Sequence, residues 1–464
     1  MNVLRRAWGW FDDRTGLPGP VGELLRHPVP PGIGWPRVLG SATLAVFILQ
    51  VLTGTALATV YIPASDSVYD SLVFISREAT LGRVIRGMHF YGASAMMILV
   101  TLHTIRVFVS GNYKYPREMN WITGGFLIVV TFMMAYTGQL LRWDNHSIWS
   151  TLVAIRHIGH APFIGEWLGQ FVLAGDRITG ATLSRAFAFH VFFLPAVLFT
   201  FIGLHLFLLI RNGSSEPADK EILAEPETYR QEYEELVERE GLPFWPFAAW
   251  RDAVFALGVF AAIIILALVF GPQELSIPPD PALPIPEPRP DWYFLWYYAI
   301  FAVLPYEVAR FAYVLVPLLS MVFLFSLPFF AGRGERHPLR RPWIIGVTVF
   351  GIALVLGFQE AGRKAHWAPE IAVDPLPAEV VGATEGPVYE GAILFHENGC
   401  LACHAIEGNG GQFGPDLSNT GTELTIGEMS NVILNGASGM PAYQNLLTRE
   451  EVDLLLTFLQ SRQE

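Results

Sequence analysis

The only two cysteines of this 464-residue chain lie three positions apart near its carboxyl end, in the stretch "ENGCLACHAIEG". Cys400 and Cys403 are followed at once by His404. The spacing C-x-x-C-H is the attachment signal for haem c, in which both thiols form thioethers and the histidine ligates the iron. A redox dithiol or half of a zinc site is the alternative, but the sequence holds no second C-x-x-C. We therefore predict a covalently bound haem c.

A sixth iron ligand is expected further along the chain. Met440 lies in "GASGMPAY", 36 residues after His404, and His/Met ligation raises the reduction potential of a haem. Met429 is the other methionine of this region, in a more polar stretch. Residues 387–464 resemble a small class I cytochrome c, and "FGPDL" at 413–417 is similar to the proximal loop of that family.

The last helix of this domain can be predicted from its own residues. Thr448 with Glu451 three positions later is a capping-box pattern. The apolar residues that follow share one helical face: Val452, Leu455, Leu456 and Leu459.

The rest of the chain has the composition of a membrane protein, with 52% hydrophobic and 16% charged residues. Seven uncharged stretches approach the about 20 residues that span a bilayer. They cover roughly 38–62, 87–105, 121–141, 186–210, 253–271, 311–332 and 343–358, the last being the shortest. We expect seven transmembrane helices.

Lys and Arg residues predict the orientation. If the amino terminus is cytoplasmic, 17 of the 30 positive residues fall in inner segments, nine in outer loops and four in the tail. Seven spans then place the carboxyl end outside, where haem c is normally attached. The start, "MNVLRRAWGWFDDRTG", has no continuous apolar core, so no cleavable signal peptide is expected.

Histidines inside membrane spans tend to be functional, and four are present. The second span holds His89 and His103, fourteen apart, and the fourth holds His190 and His205, fifteen apart. Either separation is close to four helical turns, or about 21 Å of depth. Because spans two and four run in the same direction, His89 should meet His190 at an outer level, and His103 should meet His205 at an inner level. Two stacked bis-histidine b haems would satisfy all four side chains.

Glycines repeat this spacing in the first and third spans, where Gly40 and Gly54, and Gly124 and Gly138, are also fourteen apart. A residue without a side chain lets a flat macrocycle approach a helix, although glycine also serves ordinary packing between membrane helices. Arg86 and Arg106 flank the outer and inner histidines and are candidate partners of haem propionates. The alternative for both arginines is snorkelling to the membrane interface.

Residues 1 to about 360 resemble cytochrome b of the quinol-oxidising bc and b6f complexes. The fifteen-residue second histidine spacing, "RWDN" at 142–145, "SRAFAFHVFFLP" before span four and the seven spans are similar to the b6f-like branch. Its b6 and subunit IV chains look fused here through a polar segment, 212–250, which holds ten acidic and three basic residues. We interpret this segment as a solvated cytoplasmic connector.

The same resemblance implies a quinol-oxidation site. Between spans five and six, "PRPDWYFLWYY" carries Pro290, Asp291, Trp292 and Tyr293, which is similar to the family's P-E-W-Y motif with Asp in place of Glu. A carboxylate suits a pocket where quinol oxidation releases protons. Tyr136 in span three is expected nearby. By resemblance, Asp291, Tyr293 and Tyr136 are the catalytic candidates.

One feature of the b6f-like branch is absent. The cysteine that fixes a third haem at the inner quinone site is replaced by Val38. This leaves an extra noncovalent haem at the inner site as an open alternative.

The expected fold class is all-α: a seven-helix transmembrane haem-binding bundle followed by a small extracytoplasmic α-helical cytochrome c domain. Four regions are predicted: a b6-like four-helix domain (1–215), a subunit IV-like three-helix domain (216–360), a Pro/Ala-rich linker (361–386) and the cytochrome c domain (387–464). From Ala361 onward there are 14 acidic and four basic residues, so most of the net charge of −12 lies in the exported part.

By resemblance, the chain is a fused cytochrome b and c subunit of a quinol:cytochrome c oxidoreductase in a bacterial inner membrane. Electrons from outer quinol would reach an inner quinone through two b haems and haem c through a Rieske iron-sulfur partner, with proton translocation. Further implied partners are a downstream cytochrome c or other acceptor and a second copy in a homodimer; nucleic acid is not among them. Two alternatives stay open: a non-bifurcating dihaem membrane anchor that passes electrons between quinol and a redox partner, and a haem-handling protein.

Overall fold

The computed structural model of the chain describes most of its length. The described residues are 2–16, 18–32, 34–159, 163–175, 178–217, 222–279, 289–365, 374–410, 414–436, 440, 443–444 and 446–463.

The described part is mainly helical, as the all-α prediction required, with four two-residue strands. The membrane part contains α1 (Asn2–Thr15), α2 (Pro18–Arg26), α3 (Val38–Ala58), α4 (Val68–Arg77), α5 (Gly82–Val109), α6 (Glu118–Leu140), α7 (Asn145–Gly159), α8 (Gly165–Leu173), α9 (Gly180–Ala188), α10 (Leu194–Asn212), α11 (Tyr229–Glu240), α12 (Phe244–Phe247), α13 (Ala249–Val269), α14 (Trp292–Val303), α15 (Tyr306–Ala331) and α16 (Pro342–Lys364). The C-terminal part contains α17 (Ala378–Val381), α18 (Pro387–Glu397), α19 (Cys400–Cys403), α20 (Thr420–Glu423), α21 (Ile426–Asn435) and α22 (Arg449–Gln460). The strands pair antiparallel, β1 (Pro28–Val29) with β2 (Leu242–Pro243) and β3 (Ala405–Ile406) with β4 (Asn409–Gly410).

Seven helices among the described residues are long and apolar enough to cross a membrane, which confirms the predicted number of spans. They are Trp35–Ala58, Gly82–Val109, Glu118–Leu140, Gly180–Asn212, Ala249–Val269, Phe311–Ala331 and Pro342–Lys364. The last span is longer than its uncharged stretch because the helix continues through charged residues to Lys364, where exposed Glu360 pairs with Arg363 and Lys364.

The first four spans pack into one unit around two apolar cores. One core joins α3 and α5 to α13 through Val46, Leu99 and Ile263. The other joins α3 and α6 to α10 through Phe47, Val130 and Leu198. Helix α3 thus takes part in both cores: it packs against the second span in one core and against the third and fourth spans in the other.

The connector after span four differs from the prediction of a solvated segment. Glu216 is almost fully buried and forms an ion pair with buried Arg336, which also binds Ser215 and Asn112. Tyr229 is buried as well and donates to Glu216. A buried charge requires such a partner, so the start of the connector is folded against the bundle rather than solvated.

The C-terminal domain is held by the crossing of its first and last helices. Gly391 of α18 lies so close to α22 that a Cβ there would be 2.2 Å from the Leu454 carbonyl oxygen. The rings of Phe395 and Phe458 pack beside this point at 5.6 Å. The predicted capping box of α22 is confirmed, since Thr448 and Glu451 bond reciprocally. The four residues of its predicted apolar face are all buried.

The predicted linker, 361–386, is wrong at both ends. Residues 361–364 continue helix α16. Leu376 and Val381 belong to the core of the C-terminal domain, and buried Arg462 donates to the backbone oxygens of Val380 and Val381. Proline and alanine content did not reveal these apolar anchors. Residues 366–373 of the linker lie outside the described residues.

We predict that Gly391→Ala destabilises the C-terminal domain by about 1–3 kcal/mol, because the added methyl group overpacks the helix crossing. In limited proteolysis of the full-length protein, this domain should be cleaved about tenfold faster than in the native chain. Gly427→Ala is the control, since Gly427 is exposed in helix α21 and nothing lies within 4 Å of its added methyl group. Equal cleavage rates for both variants would contradict the tight crossing.

Candidate redox site

Histidines from the second and fourth spans face each other inside the bundle at the level that we name outer. The ring centres of His89 and His190 are 6.3 Å apart, with planes inclined by 75°. A metal–imidazole bond is about 2 Å, so two rings that share one ion have centres about 6 Å apart. The observed separation fits a single metal ion between the two rings.

Each of the four histidines lies against one of the four predicted glycines. The nearest ring atom is Cε1 in every case. The distance from a Cβ built on the glycine to Cε1 is 3.1 Å for Gly54 and His89, 2.8 Å for Gly138 and His190, 3.0 Å for Gly40 and His103, and 3.5 Å for Gly124 and His205. The glycines therefore lie at the two predicted levels, and what they accommodate is an imidazole ring from the neighbouring helix.

Threonines fix the orientation of three of these rings. Thr53, Thr123 and Thr137 each precede one of the glycines. Their hydroxyl oxygens lie 3.0 Å from Nδ1 of His89, 3.0 Å from Nδ1 of His205 and 3.1 Å from Nδ1 of His190. Each hydroxyl already donates its proton to a backbone carbonyl of the preceding turn. It must then accept from Nδ1–H, which leaves Nε2 as the metal-binding nitrogen.

A π-helical turn accounts for the unequal histidine spacing. His190 lies in the segment Phe189–Phe193, where Leu194 donates to the carbonyl of Phe189 five residues back. Pro195 follows at the start of α10 and has no N–H to donate. A π turn takes one residue more than an α turn. The fifteen-residue spacing thus has the geometry of fourteen residues in a regular helix, matching His89 and His103.

The two flanking arginines differ in their partners. Arg86 donates to the Ser76 hydroxyl and to the carbonyl of Gln273, so part of its hydrogen-bonding capacity is used within the protein. In the described part of the chain, no hydrogen bond engages the Arg106 guanidinium. Arg106 is therefore the better placed of the two for an anionic group such as a propionate.

The C-x-x-C-H motif forms one turn of helix, α19, from Cys400 to Cys403. The next residue, His404, is held like the histidines of the bundle: its Nδ1 donates to the Pro415 carbonyl at 2.8 Å, and a Cβ on Gly414 would lie 2.5 Å from its ring. Burial raises the pKa of Cys400 to about 12 and that of Cys403 to about 11, so both are protonated thiols.

Met440 is partly buried and packs against the core of the C-terminal domain, whereas Met429 is a buried core residue of α21. This difference favours Met440 over Met429 as the sixth ligand of the haem iron. Most of the loop around Met440, and Phe413 of the proximal-loop motif, lie outside the described residues.

The motif Pro290–Tyr293 lies at the start of α14, beside the outer end of span three. Asp291 accepts a hydrogen bond of 2.8 Å from the Tyr293 hydroxyl, and its carboxylate is 3.9 Å from the Arg142 guanidinium. The backbone N–H of Asp291 donates to the Gln139 side chain, next to the glycine that supports His190. The carboxylate therefore lies close to the outer histidine level.

Tyr136 lies in the same region, with its ring 6.1 Å from that of Phe294 on α14. Its hydroxyl is buried close to Thr151 and makes no hydrogen bond of regular geometry within the described part of the chain. A buried hydroxyl of this kind is suited to a ligand that carries its own polar group.

The Arg142 guanidinium provides positive charge beside the carboxyl groups of this site. Burial opposes ionisation of Asp144, but Arg142 and the N–H groups of Ser276 and Ser147 hold the pKa of this carboxyl below its ordinary value. Burial, with the neighbouring Asp291 carboxylate, raises the pKa of Tyr293 well above its ordinary value. Tyr293 therefore remains a hydrogen-bond donor to Asp291.

These features define a helical membrane protein in which His89 faces His190, His103 and His205, further along the same two spans, each lie against a glycine, and an oxygen-rich site lies beside the outer pair. Comparisons with known proteins give the family. The family model "Cytochrome b/b6/petB" matches residues 24–213, "Cytochrome b(C-terminal)/b6/petD" matches 280–373, and "Cytochrome C oxidase, cbb3-type, subunit III" matches 387–459.

Similar proteins agree with these matches. The menaquinol:cytochrome c reductase cytochrome b subunit of Geobacillus thermodenitrificans is 36% identical over 46% of this chain and all of its own length. Cytochrome b of Allochromatium vinosum is 31% identical over 76% of this chain and 88% of its own. A structure of hyperthermophilic respiratory complex III is 25% identical with a TM-score of 0.65, covering 76% of this chain and 94% of its own. The chain belongs to the cytochrome b family and carries a cytochrome c-type domain at its carboxyl end.

Three functional features were missed in the sequence. The contacts of the threonines before the glycines and the ion pair of Arg142 with Asp291 join segments that are far apart in the chain, whereas the π turn at His190 rests on the backbone hydrogen bond from Leu194 to Phe189 within one span. The repeated Thr-Gly dipeptide was the available signal for the first, and Pro195 five residues after His190 was the signal for the second.

If the chain binds two b haems as the sequence predicts, we expect Gly138→Val to remove one of them and leave the other, because the new side chain would displace the His190 ring. A pyridine haemochrome assay would show the ratio of b to c haem falling from two towards one. Gly203→Val is the control in α10, where nothing lies within 4 Å of an added Cβ. An unchanged ratio in Gly138→Val would exclude His190 as a ligand.

Proposed function

We propose that this chain is the haem-bearing subunit of a bifurcating quinol:cytochrome c oxidoreductase that couples electron transfer to proton translocation. The observation that carries the proposal is the arrangement of four histidines on two spans: His89 faces His190, and each of the four rings lies against a glycine of an adjacent helix. No ordinary packing requirement explains four such imidazoles, each partly buried within a membrane span.

The residues fit two b haems and one c haem. His89 with His190, and His103 with His205, would ligate iron through Nε2, and Arg106 is available for a propionate. Cys400 and Cys403 would hold the third haem covalently, with His404 and Met440 as axial ligands. Bound haems would supply one-electron carriers at these three positions. An extra noncovalent haem at the inner site stays open; Val38 is buried there at the start of α3.

Quinol would be oxidised at the outer site. Asp291 would take a proton from a quinol hydroxyl, and Tyr293 and Arg142 contact its carboxylate. Tyr136 would face the ring of the quinol with its unpaired hydroxyl. Relatives that are named menaquinol:cytochrome c reductase subunits favour menaquinol as the substrate.

A separate Rieske protein is required as partner, because two cysteines in a C-x-x-C-H motif cannot also bind an iron-sulfur cluster. The excess of Lys and Arg in alternate loops supports a cytoplasmic amino terminus in a bacterial inner membrane and an external cytochrome c domain. Further proposed partners are a downstream cytochrome c or other acceptor and a second copy in a homodimer.

The proposed division of the chain follows from these roles. Residues 1–215 would bind the b haems, 216–360 would supply the quinol motif, and the C-terminal domain would carry haem c. Since Leu376 and Val381 belong to the core of that domain, the tether between membrane and domain is short, and haem c stays at high effective concentration near the outer site.

We expect Asp291→Asn to lower quinol-dependent reduction of cytochrome c by about 100-fold, because the amide cannot take the proton. The haem content of the purified complex should not change. Asp66→Asn is the control, since Asp66 is an exposed carboxylate in the loop between the first two spans.

Two results would contradict this proposal. An unchanged rate of quinol oxidation in Asp291→Asn would show that the Asp291 carboxylate takes no part in the reaction. A purified complex without any Rieske protein that still reduces cytochrome c with quinol would favour the alternative, a non-bifurcating dihaem anchor.

A further inference from the structure

The four histidines are not held equally. Three of the four glycines follow a threonine, but Gly40 follows Leu39. The side chain of Leu39 has no oxygen, and in the described part of the chain no hydrogen bond engages the ring of His103. The Nδ1 atoms of His89, His190 and His205 each lie about 3 Å from a threonine hydroxyl.

His190 has a second acceptor. Its Nδ1 lies 3.0 Å from the carbonyl oxygen of Met134 as well as 3.1 Å from the Thr137 hydroxyl. The outer pair, His89 and His190, therefore has both rings held by hydrogen bonds. The inner pair has one, because only His205 is held.

A hydrogen bond from Nδ1–H changes the other nitrogen of the ring. This hydrogen bond gives the ring partial imidazolate character, so that Nε2 donates electron density to a metal more strongly. A stronger donor stabilises ferric iron more than ferrous iron, and second-shell hydrogen bonding is one of the means by which proteins tune haem potentials.

We propose that Thr53 and Thr137 are positioning residues that lower the reduction potential of the outer site, and that Leu39 keeps the inner site at a higher potential. This inference rests on the proposed ligation of two b haems. The asymmetry would make electron transfer from the outer to the inner level favourable, which is the direction that quinol oxidation at Asp291 requires. The direction is thereby encoded in residues that touch neither the quinol nor the iron.

Redox titration of the two b haems in the purified complex tests this proposal. Leu39→Thr introduces a hydroxyl before Gly40, at the position that corresponds to Thr53 before Gly54, and gives up part of the apolar packing of Leu39 against the core of α3, α5 and α13. The inner potential should fall and the outer potential should stay constant. A tenfold change in the preference for ferric over ferrous iron corresponds to about 59 mV for one electron, which sets the scale of the shift.

The outer site gives an ordered pair of variants. Thr53→Val removes the threonine acceptor of His89 and should raise the outer potential. Thr137→Val should raise it less, because the Met134 carbonyl still accepts from His190. Thr53→Ser should restore the native value, since it keeps the hydroxyl. Leu52→Thr is the control, because Leu52 is an exposed residue of the same helix and is 65% accessible.

The outcomes separate this inference from the proposed function. If the native protein contains no b haem, the assignment of the four histidines as ligands is wrong. A full complement of haem with unchanged potentials in Leu39→Thr and Thr53→Val would overturn only the role of the hydroxyls. Opposite shifts in these two variants, with Thr137→Val intermediate, would support it.

Discussion

An imidazole ring that offers one nitrogen to a metal inside a membrane needs room for the ring, and a hydrogen bond to its other nitrogen fixes the orientation of the ring. In this chain the room is made by a glycine on the adjacent helix, and at three of four positions the second nitrogen is held by the preceding threonine. His404 follows the same rule with Gly414 and the Pro415 carbonyl. The packing of spans one to four serves this requirement.

The same requirement explains irregular features of the backbone. The π turn at Phe189–Phe193 adjusts a fifteen-residue spacing so that His190 and His205 stay in line with their partners. Gln139, next to the glycine behind His190, binds the backbone of Asp291. Adjacent residues of one helix thus contact the His190 ring and the backbone of Asp291.

The fold class, the seven spans and the capped last helix were predictable because each depends on local periodicity or spacing. The structure brings together one of the two predicted histidine pairs, His89 and His190, and ligation by the four histidines stays a prediction. The second nitrogen contacts of the histidines depend on two helices at once, so the pattern of one helix did not reveal them. The carboxyl end of the linker was misjudged because Leu376 and Val381 have no periodicity of their own. They belong to the core of the C-terminal domain, and Arg462, 81 residues after Val381, donates to the Val381 carbonyl. The polar connector was misjudged because the partner of Glu216 is Arg336, which is 120 residues away.

The central claim is that four histidines at two depths hold two b haems while the tail holds one c haem. Haem counting by pyridine haemochrome on the purified native subunit tests it most directly. We expect two protohaems and one covalent haem per chain. Three protohaems would retain the two histidine levels and add a noncovalent haem at the inner site near Val38. One protohaem or none would contradict the proposed ligation of two b haems by the four histidines. Only the C-terminal domain would then remain as a haem-binding unit.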